Sequence, residues 1–285
     1  MGPDPAGCDH YRDITYVVDD PVALITLNRP ASLNGWTNRM GIEVRHAVAC
    51  ADADAAVVGT VITGAGRAFC AGADMNMLSD ISAGSTKSDP IDDSLRFEWD
   101  PPLPADFDGG YTWLLGTQKP VVAAINGAVA GMAVPIAMCC DVRFMAEDAP
   151  LLVAFPQRGL IAEWGVGWLM SKVAGSGAAL DVIMSSRKVR GAEAERMGIV
   201  HEAMPADEVL EHSLAYVRDL AERCSPASMA VIKRQVNEHT HRGLAEAEAE
   251  AQRLMVESFE RPDFKEGVQS FLQKRPPAFP RIGTR

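Results

Sequence analysis

The stretch KPVVAAINGAVAGMAVPIAMCCDVRF, residues 119–144, decides the fold class. Across residues 121–140 the only strongly polar side chain is that of Asn126, and an apolar run of this length could in principle cross a bilayer. Asn126-Gly127 and Gly131, however, divide the run into VVAAI and MAVPIAMCC. We therefore interpret it as a buried strand, a tight turn and a buried helix, followed by the strand VRFMA.

Strand and helix patterns also precede this stretch. ITYVVDD and VALITLNRP are apolar, β-branched segments separated by an Asp-Asp-Pro turn, which predicts a hairpin. A helix with Thr37 or Asn38 as its N-cap follows, and VVGTVIT predicts another buried strand. Because strands and helices alternate, we predict an α/β core.

The chain divides into a core and a helical region. Residues 1–206 hold the alternating patterns, whereas residues 207–285 carry apolar positions at helical spacing, as in LAEAEAEAQRLMVESFE. Within the core, residues 79–110 are acidic, contain several prolines and show no sustained period. We expect this segment to be a mobile insertion over the core.

Composition excludes several classes of partner. The 285 residues include 27 Lys and Arg against 38 Asp and Glu, a net charge of −11, so no long-range field attracts nucleic acid or anionic lipid. The six cysteines form no Cys-x-x-Cys pair, and the six histidines show no ligand spacing, so we expect no metal. The first residues lack a basic segment followed by an apolar one, which favours a reduced, cytoplasmic protein.

Six segments together resemble the crotonase superfamily, the enoyl-CoA hydratase and isomerase group. They are LNRPASLNGW, GAGRAFCAGADM, residues 119–144, FPQRGLIAEWG, AERMGIVHEAMP and DFKEGVQSFLQKRPPAF, and they occur in the family's order. The resemblance implies a spiral of strand-strand-helix units with a helical C-terminal region that mediates homotrimers, often paired into dimers of trimers. It also implies an acyl-CoA thioester as the substrate, with no separate cofactor.

The resemblance places an oxyanion hole on two backbone N–H groups, those of Ala73 and Met132. The family uses such a pair to stabilise a thioester enolate, whose charge develops only during the reaction. Small neighbours at Gly72 and Gly131 suit this role, because a bulky side chain would block the approaching carbonyl. The alternative is that these glycines form turns needed only for packing.

The resemblance also places the CoA contacts. Ala31, Ser32 and Leu33 match the loop that contacts the nucleotide, Ala71 precedes the first glycine turn, and Phe271 and Lys274 match the C-terminal adenine contacts. Many relatives have lysine at the position of Ala31, so one phosphate contact is missing here. Three arginines could replace it, although each could equally be a solvated surface charge; they are Arg29, Arg67 and Arg275.

Two departures from the family pattern determine the predicted reaction. Hydratases of the family use two glutamates to activate water, and this chain has Pro135 and Gln157 at those positions. Neither side chain can accept a proton at neutral pH, so the two-glutamate mechanism is not carried over. Glu163, in GLIAEWG, resembles instead the glutamate of Δ3,Δ2-enoyl-CoA isomerases, which moves a proton between C2 and C4.

Local sequence suggests how the Glu163 carboxylate would be tuned. We expect a helix to start near Trp164, so that its N-terminus favours the charged form, while Trp164 and Trp168 desolvate it. The alternative role is an ordinary acid at a helix start, facing water.

Other readings stay open at this point. Asp74 or Asp80 could serve as a second acid in a non-standard hydratase, and loss of the usual glutamates could also mark a non-catalytic acyl-CoA-binding protein. A serine protease on a related spiral lacks its nucleophile here, since MAVPIAMCC contains no serine. The acyl group is not determined, although the tryptophans Trp36, Trp113, Trp164 and Trp168 could shape its pocket.

Overall fold

The structure is a computed structural model that describes residues 10–75, 77, 79, 83–84, 95–99 and 102–283. Much of the predicted insertion at 79–110, including Asp80, lies outside the described residues.

The larger of two sheets carries the predicted hairpin and the buried strands. Its order is β1 (Ile14–Asp19), β2 (Val22–Leu27), β3 (Gly59–Gly64), β5 (Val121–Ile125), β7 (Val142–Ala146) and β10 (Glu202–Met204). β1 and β2 pair antiparallel, which confirms the hairpin, and the remaining neighbours pair parallel. Strands β3 and β5 are buried along their whole length, as their continuous apolar sequences predict.

The smaller sheet is made from the short strands that follow those of the first. Its order is β4 (Ala68–Cys70), β6 (Ala128–Ala130), β8 (Pro150–Leu152) and β9 (Val189–Arg190). The chain thus passes from β3 to β4, from β5 to β6 and from β7 to β8, and each passage is followed by a helix. This repeated strand-strand-helix unit is the predicted spiral, and the α/β class is confirmed.

The helices cover the sheets and end the chain. They are α1 (Asn38–Ala53), α2 (Trp113–Gly116), α3 (Ala133–Cys139), α4 (Val166–Ser185), α5 (Gly191–Arg196), α6 (Val209–Arg223), α7 (Pro226–His239), α8 (Leu244–Phe259) and α9 (Pro262–Gln273). Of the two predicted caps for α1, Thr37 is the one used, because its hydroxyl accepts the N–H of Met40 at 2.9 Å. No helix in the described ranges is both long and apolar enough to span a membrane.

The turn between β5 and β6 shows why residues 119–144 fold back so tightly. A Cβ on Gly127 would lie only 2.3 Å from the carbonyl oxygen of Arg67, so only glycine fits. The Asn126 amide Nδ2 donates to the carbonyls of Gly64 and Gly66 at 2.9 and 3.0 Å. The one polar residue of the run therefore joins β5 to the end of β3.

The helical region is tied to the core by a buried lysine. Lys233 on α7 donates from Nζ to Asp141 Oδ2 and Thr117 Oγ1, both at 2.7 Å, and to the Lys119 carbonyl at 3.0 Å. These acceptors lie at both ends of the segment that contains β5, β6 and α3. Helix α6 packs directly on the larger sheet, where the Val217 side chain faces Gly59.

Candidate active site

The first feature of the site is the turn at Gly72 and Ala73. Gly72 has φ +102°, a conformation that favours glycine. The N–H of Trp36 donates to the Gly72 carbonyl at 2.7 Å, and the N–H of Asp74 donates to the Trp36 carbonyl at 2.9 Å. Trp36 and Ala73 thus form a parallel bridge. The Gly72 carbonyl and the Ala73 N–H belong to the same trans peptide and point in opposite directions. Because the carbonyl points toward Trp36, the Ala73 N–H points away from it.

The second feature is the turn at Gly131 and Met132. The N–H of Gly131 donates to the Leu152 carbonyl at 2.9 Å, which fixes the end of β6 beside β8. Gly131 has φ +53°, and α3 begins directly after Met132. The N–H of a residue at this position has no acceptor within the helix and is available to an external oxygen.

The two turns touch each other. A Cβ on Gly72 would lie 3.0 Å from the Ala130 carbonyl oxygen and 3.6 Å from the Cα of Gly131. The structure therefore brings the two predicted donors, Ala73 and Met132, to one place, each one residue after a glycine with positive φ. Two convergent N–H groups can stabilise a single developing negative oxygen.

The predicted nucleotide loop lies beside the first of these turns. Ala31 and Ser32 are exposed on a short 3₁₀ turn, and the Leu33 carbonyl accepts the N–H of Ala71 at 3.0 Å. A ligand that contacts residues 31–33 can thus reach Gly72 without crossing the protein interior.

Asn34 joins the loop at residues 31–33 to the segment at residues 65–69, which leads into the Gly72 turn. The sequence analysis did not identify it. It is fully buried, and its Nδ2 faces the carbonyls of Ala65, Ala68 and Phe69 at 2.9, 2.8 and 3.2 Å. Its own φ is +56°, which asparagine tolerates better than most residues. The Asn34-Gly35 dipeptide was the available signal, because such a pair marks a turn.

Two of the three candidate phosphate-binding arginines are engaged elsewhere. Arg29 Nη1 lies 2.9 Å from Asp74 Oδ2, so both charges hold the turn that carries Ala73. Arg275 pairs with Glu266 at 2.6 Å on the surface. Arg67 is exposed beside an open cleft of about 440 Å³ whose lining includes Glu147 and Asp148.

Glu163 lies in the loop between the 3₁₀ turn at Pro156–Arg158 and α4. The helix predicted to start near Trp164 is present and begins two residues later. Trp164 and Gly165 have φ of +55° and +74°, conformations that a right-handed helix excludes, so α4 begins at Val166. The Glu163 carbonyl accepts the N–H of Val166 at 3.0 Å, and this bond fixes the loop on the helix.

Aromatic rings connect the Glu163 loop to the Ala73 turn. The Trp164 ring lies 5.2 Å from that of Tyr111, and the Tyr111 ring meets Trp36 edge-on at 5.5 Å. Trp168 instead stacks on His241 at 5.3 Å, and Trp113 is buried against Trp99. Of the four tryptophans proposed for the pocket, Trp36 and Trp164 therefore share one aromatic cluster, which Tyr111 completes.

The two positions predicted to match the hydratase glutamates hold groups that cannot accept a proton. Pro135 is buried within α3. Gln157 uses its Nε2 to donate to the Ser186 carbonyl at 3.0 Å. Cys70, next to the Ala73 turn, is no substitute nucleophile, because burial raises the pKa of its thiol to about 12.

The two residues predicted to contact CoA from the C-terminal region are separate from this cluster. Phe271 is 82% exposed, so its side chain does not pack on the loop at residues 31–33. Lys274 is exposed at the end of α9, where it has φ +54°. Their contact with adenine stays a prediction.

The repeated strand-strand-helix units with their paired glycine turns define a protein of the crotonase fold. A model of the enoyl-CoA hydratase/isomerase family matches residues 18–281. A Rhodobacter capsulatus protein named "Probable enoyl-CoA hydratase" is 33% identical, covering 94% of this chain and 98% of its own. The 1,2-epoxyphenylacetyl-CoA isomerase of Escherichia coli is 29% identical, covering 92% and 96%.

A solved structure agrees with these relatives. The probable enoyl-CoA hydratase/isomerase from Mycobacterium abscessus superimposes with a TM-score of 0.80 at 26% identity, over 95% of this chain and 99% of that one. The chain belongs to the enoyl-CoA hydratase/isomerase family of the crotonase superfamily, whose members act on CoA thioesters.

Proposed function

We propose that this enzyme isomerises a 3-enoyl-CoA to the 2-enoyl-CoA with Glu163 as its single proton carrier. The observation that carries the proposal is the placement of Glu163 on a loop joined through aromatic rings to the Ala73 turn. The two positions that hydratases use for water activation carry Pro135 and Gln157 instead.

The chemistry follows from these groups. The thioester oxygen accepts the N–H groups of Ala73 and Met132, and the Glu163 carboxylate removes one proton from C2. The electrons of that C–H bond form a dienolate whose charge rests on the thioester oxygen. Protonated Glu163 then returns the proton to C4, the double bond moves to C2–C3, and the thioester carbonyl is restored. The reaction moves one proton from C2 to C4 with no net gain or loss of atoms, and it needs no cofactor or metal.

The same proposal includes binding and assembly. The loop at residues 31–33 and the Gly72 and Gly131 turns hold the CoA thioester, with Phe271 and Lys274 contributing from the exposed α9. We further propose a homotrimer or a dimer of trimers, because α8 and α9 expose large apolar side chains. These side chains include Leu244, Val256, Phe259, Phe264, Phe271 and Leu272.

Hydration of a 2-enoyl-CoA is the alternative, favoured by the names of several relatives. The test is to incubate the protein with a 3-enoyl-CoA and, separately, with a 2-enoyl-CoA, and to separate the products by chromatography with mass detection. We expect rapid conversion of the 3-enoyl to the 2-enoyl thioester and very slow formation of 3-hydroxyacyl-CoA. Efficient hydration would reverse the assignment, and binding of saturated acyl-CoA without deuterium exchange at C2 would identify a non-catalytic binding protein.

A further inference from the structure

Tyr111 is the central ring of a contact that joins three distant parts of the chain. Its ring meets Trp36 at 5.5 Å with an interplanar angle of 88°, and meets Trp164 at 5.2 Å with an angle of 50°. Trp36 is hydrogen-bonded through its backbone to both peptides that flank Ala73, and Trp164 directly follows Glu163. Tyr111 therefore lies between Trp36, which is hydrogen-bonded to the peptides that flank the proposed donor Ala73, and Trp164, which is next to the proposed proton carrier.

The tyrosine is well fixed in this position. Burial raises the pKa of its hydroxyl, and a hydrogen bond with the Trp36 side chain opposes this only in part, so the hydroxyl stays neutral. The Tyr111 carbonyl accepts the N–H of Leu114, which anchors it to the start of α2. Gly110, the preceding residue, also lies close to Trp164, since a Cβ there would be 3.4 Å from the indole ring.

Trp164 adopts a backbone conformation that needs such support. It has φ +55° although it is bulky and 46% exposed, and such a conformation is uncommon for a large side chain. Strain of this kind persists only where surrounding contacts hold the backbone in place. The Tyr111 ring supplies one of these contacts.

We propose that Tyr111 is a positioning residue that sets the Glu163 carboxylate at its working distance from the Ala73 and Met132 N–H groups. The inference rests on the proposed role of Glu163 as the proton carrier. Tyr111 acts through the ring of Trp164 and touches neither reacting carbon. Since a displacement of 1 Å at a reacting group can cost about 10²-fold in rate, loss of the ring will reduce turnover while substrate binding persists.

Four single variants test this inference. Tyr111→Phe keeps the ring, Tyr111→Leu removes it, and Trp164→Leu removes the partner ring from a half-exposed site. Tyr216→Leu is the matched control, because Tyr216 is also a half-buried tyrosine in edge-on contact with an aromatic ring, that of Phe144, but on α6. The readouts are kcat and KM for 3-enoyl-CoA isomerisation, and Kd for a saturated acyl-CoA.

We expect Tyr111→Leu and Trp164→Leu to lower kcat by about 10- to 100-fold, with Kd changed less than about threefold. Tyr111→Phe should retain kcat within about fivefold, and Tyr216→Leu should leave it unchanged. Equal losses in Tyr111→Phe and Tyr111→Leu would assign the effect to the hydroxyl and overturn the inference. If Tyr111→Leu does not fold, Trp164→Leu decides the question by itself.

A double-mutant cycle separates this inference from the proposed function. If the rings act through Glu163, adding Trp164→Leu to Glu163→Gln will lower the residual rate less than about threefold. Fully multiplicative losses would show that the rings act independently of Glu163 and would refute the positioning role alone. Normal turnover in Glu163→Gln itself would refute the proposed function, and the positioning role with it.

Discussion

Replacing Glu163 with glutamine is the most direct perturbation of the proposed chemistry. Glutamine has nearly the volume of glutamate but cannot accept the C2 proton. The loop itself should persist, because the bond from the Val166 N–H is made to the backbone carbonyl of residue 163 and does not depend on the side chain.

The expected loss of rate follows from the number of proton carriers. General acid-base catalysis by a positioned group contributes about 10²–10⁴-fold, which corresponds to roughly 3–5 kcal/mol of transition-state stabilisation. Because Pro135 and Gln157 offer no second carrier, we expect kcat to fall by about this range. Binding of a saturated acyl-CoA should change less than about threefold, since the Ala73 and Met132 N–H groups remain.

The assay follows 2-enoyl-CoA formation and, in deuterated water, exchange at C2 of a saturated acyl-CoA. Glu222→Gln is the matched control, because Glu222 is an exposed glutamate on α6. Near-normal isomerisation and exchange by Glu163→Gln would remove this residue from catalysis. Equal losses of turnover and of binding would indicate that Glu163 maintains the structure of the loop.

Further perturbations test other parts of the site and the fold. Gly72→Ala places a Cβ 3.0 Å from the Ala130 carbonyl oxygen at φ +102°, so deuterium exchange at C2 should fall about 10²-fold. Gly175→Ala is the control, because Gly175 also has a positive φ, +83°, but lies in open space, and exchange should be unchanged. Burial lowers the pKa of Lys119 from 10.5 to about 8. Between pH 8 and pH 10.5 the folded state therefore binds fewer protons than the unfolded state, so the free energy of unfolding rises with pH in this range. In urea unfolding, the free energy of unfolding of the wild type minus that of Lys119→Met should therefore rise by about 1 kcal/mol from pH 8 to pH 9. A difference that does not change with pH would contradict the lowered pKa of Lys119. Isomerisation should survive a chelator and a reductant; loss that one particular metal restores would contradict the metal-free mechanism. Sedimentation at micromolar concentration should give a trimer or hexamer, and monomer alone would exclude the proposed assembly.

The elements that were predicted correctly are those whose formation depends on residues close together in the sequence. The hairpin of β1 and β2 and the buried strands β3 and β5 follow from runs of apolar side chains bounded by turn residues. Thr37 and Gly131 have local roles, as a cap and a turn, that depend on residue type. The order of the strands in the larger sheet could not be derived in the same way, because parallel neighbours are distant in the chain.

The parts of the site that were missed or misplaced depend on contacts between distant residues. Tyr111 lies in a segment with no useful periodicity, and its partners are 75 residues before it and 53 after it. The start of α4 was predicted two residues too early, because helix patterns do not reveal that Trp164 adopts a left-handed conformation. Arg29 looked like a free cation until the fold placed it 2.9 Å from Asp74.

The contact between Gly72 and Gly131 means that a side chain added at Gly72 would disturb the backbone of the other turn. Every residue type except proline has a backbone N–H, so positions 73 and 132 can carry any other side chain without losing the predicted donors. The glycines before them are more restricted, because a methyl group on Gly72 would lie 3.0 Å from the Ala130 carbonyl oxygen and Gly131 has φ +53°. The loop at residues 155–165 lies on a different part of the chain, so its polar side chains can be substituted without altering either glycine turn. Substitutions at position 135 on α3 and at positions 157 and 163 in that loop can therefore change the proton-transfer groups, while the two glycine turns stay in place.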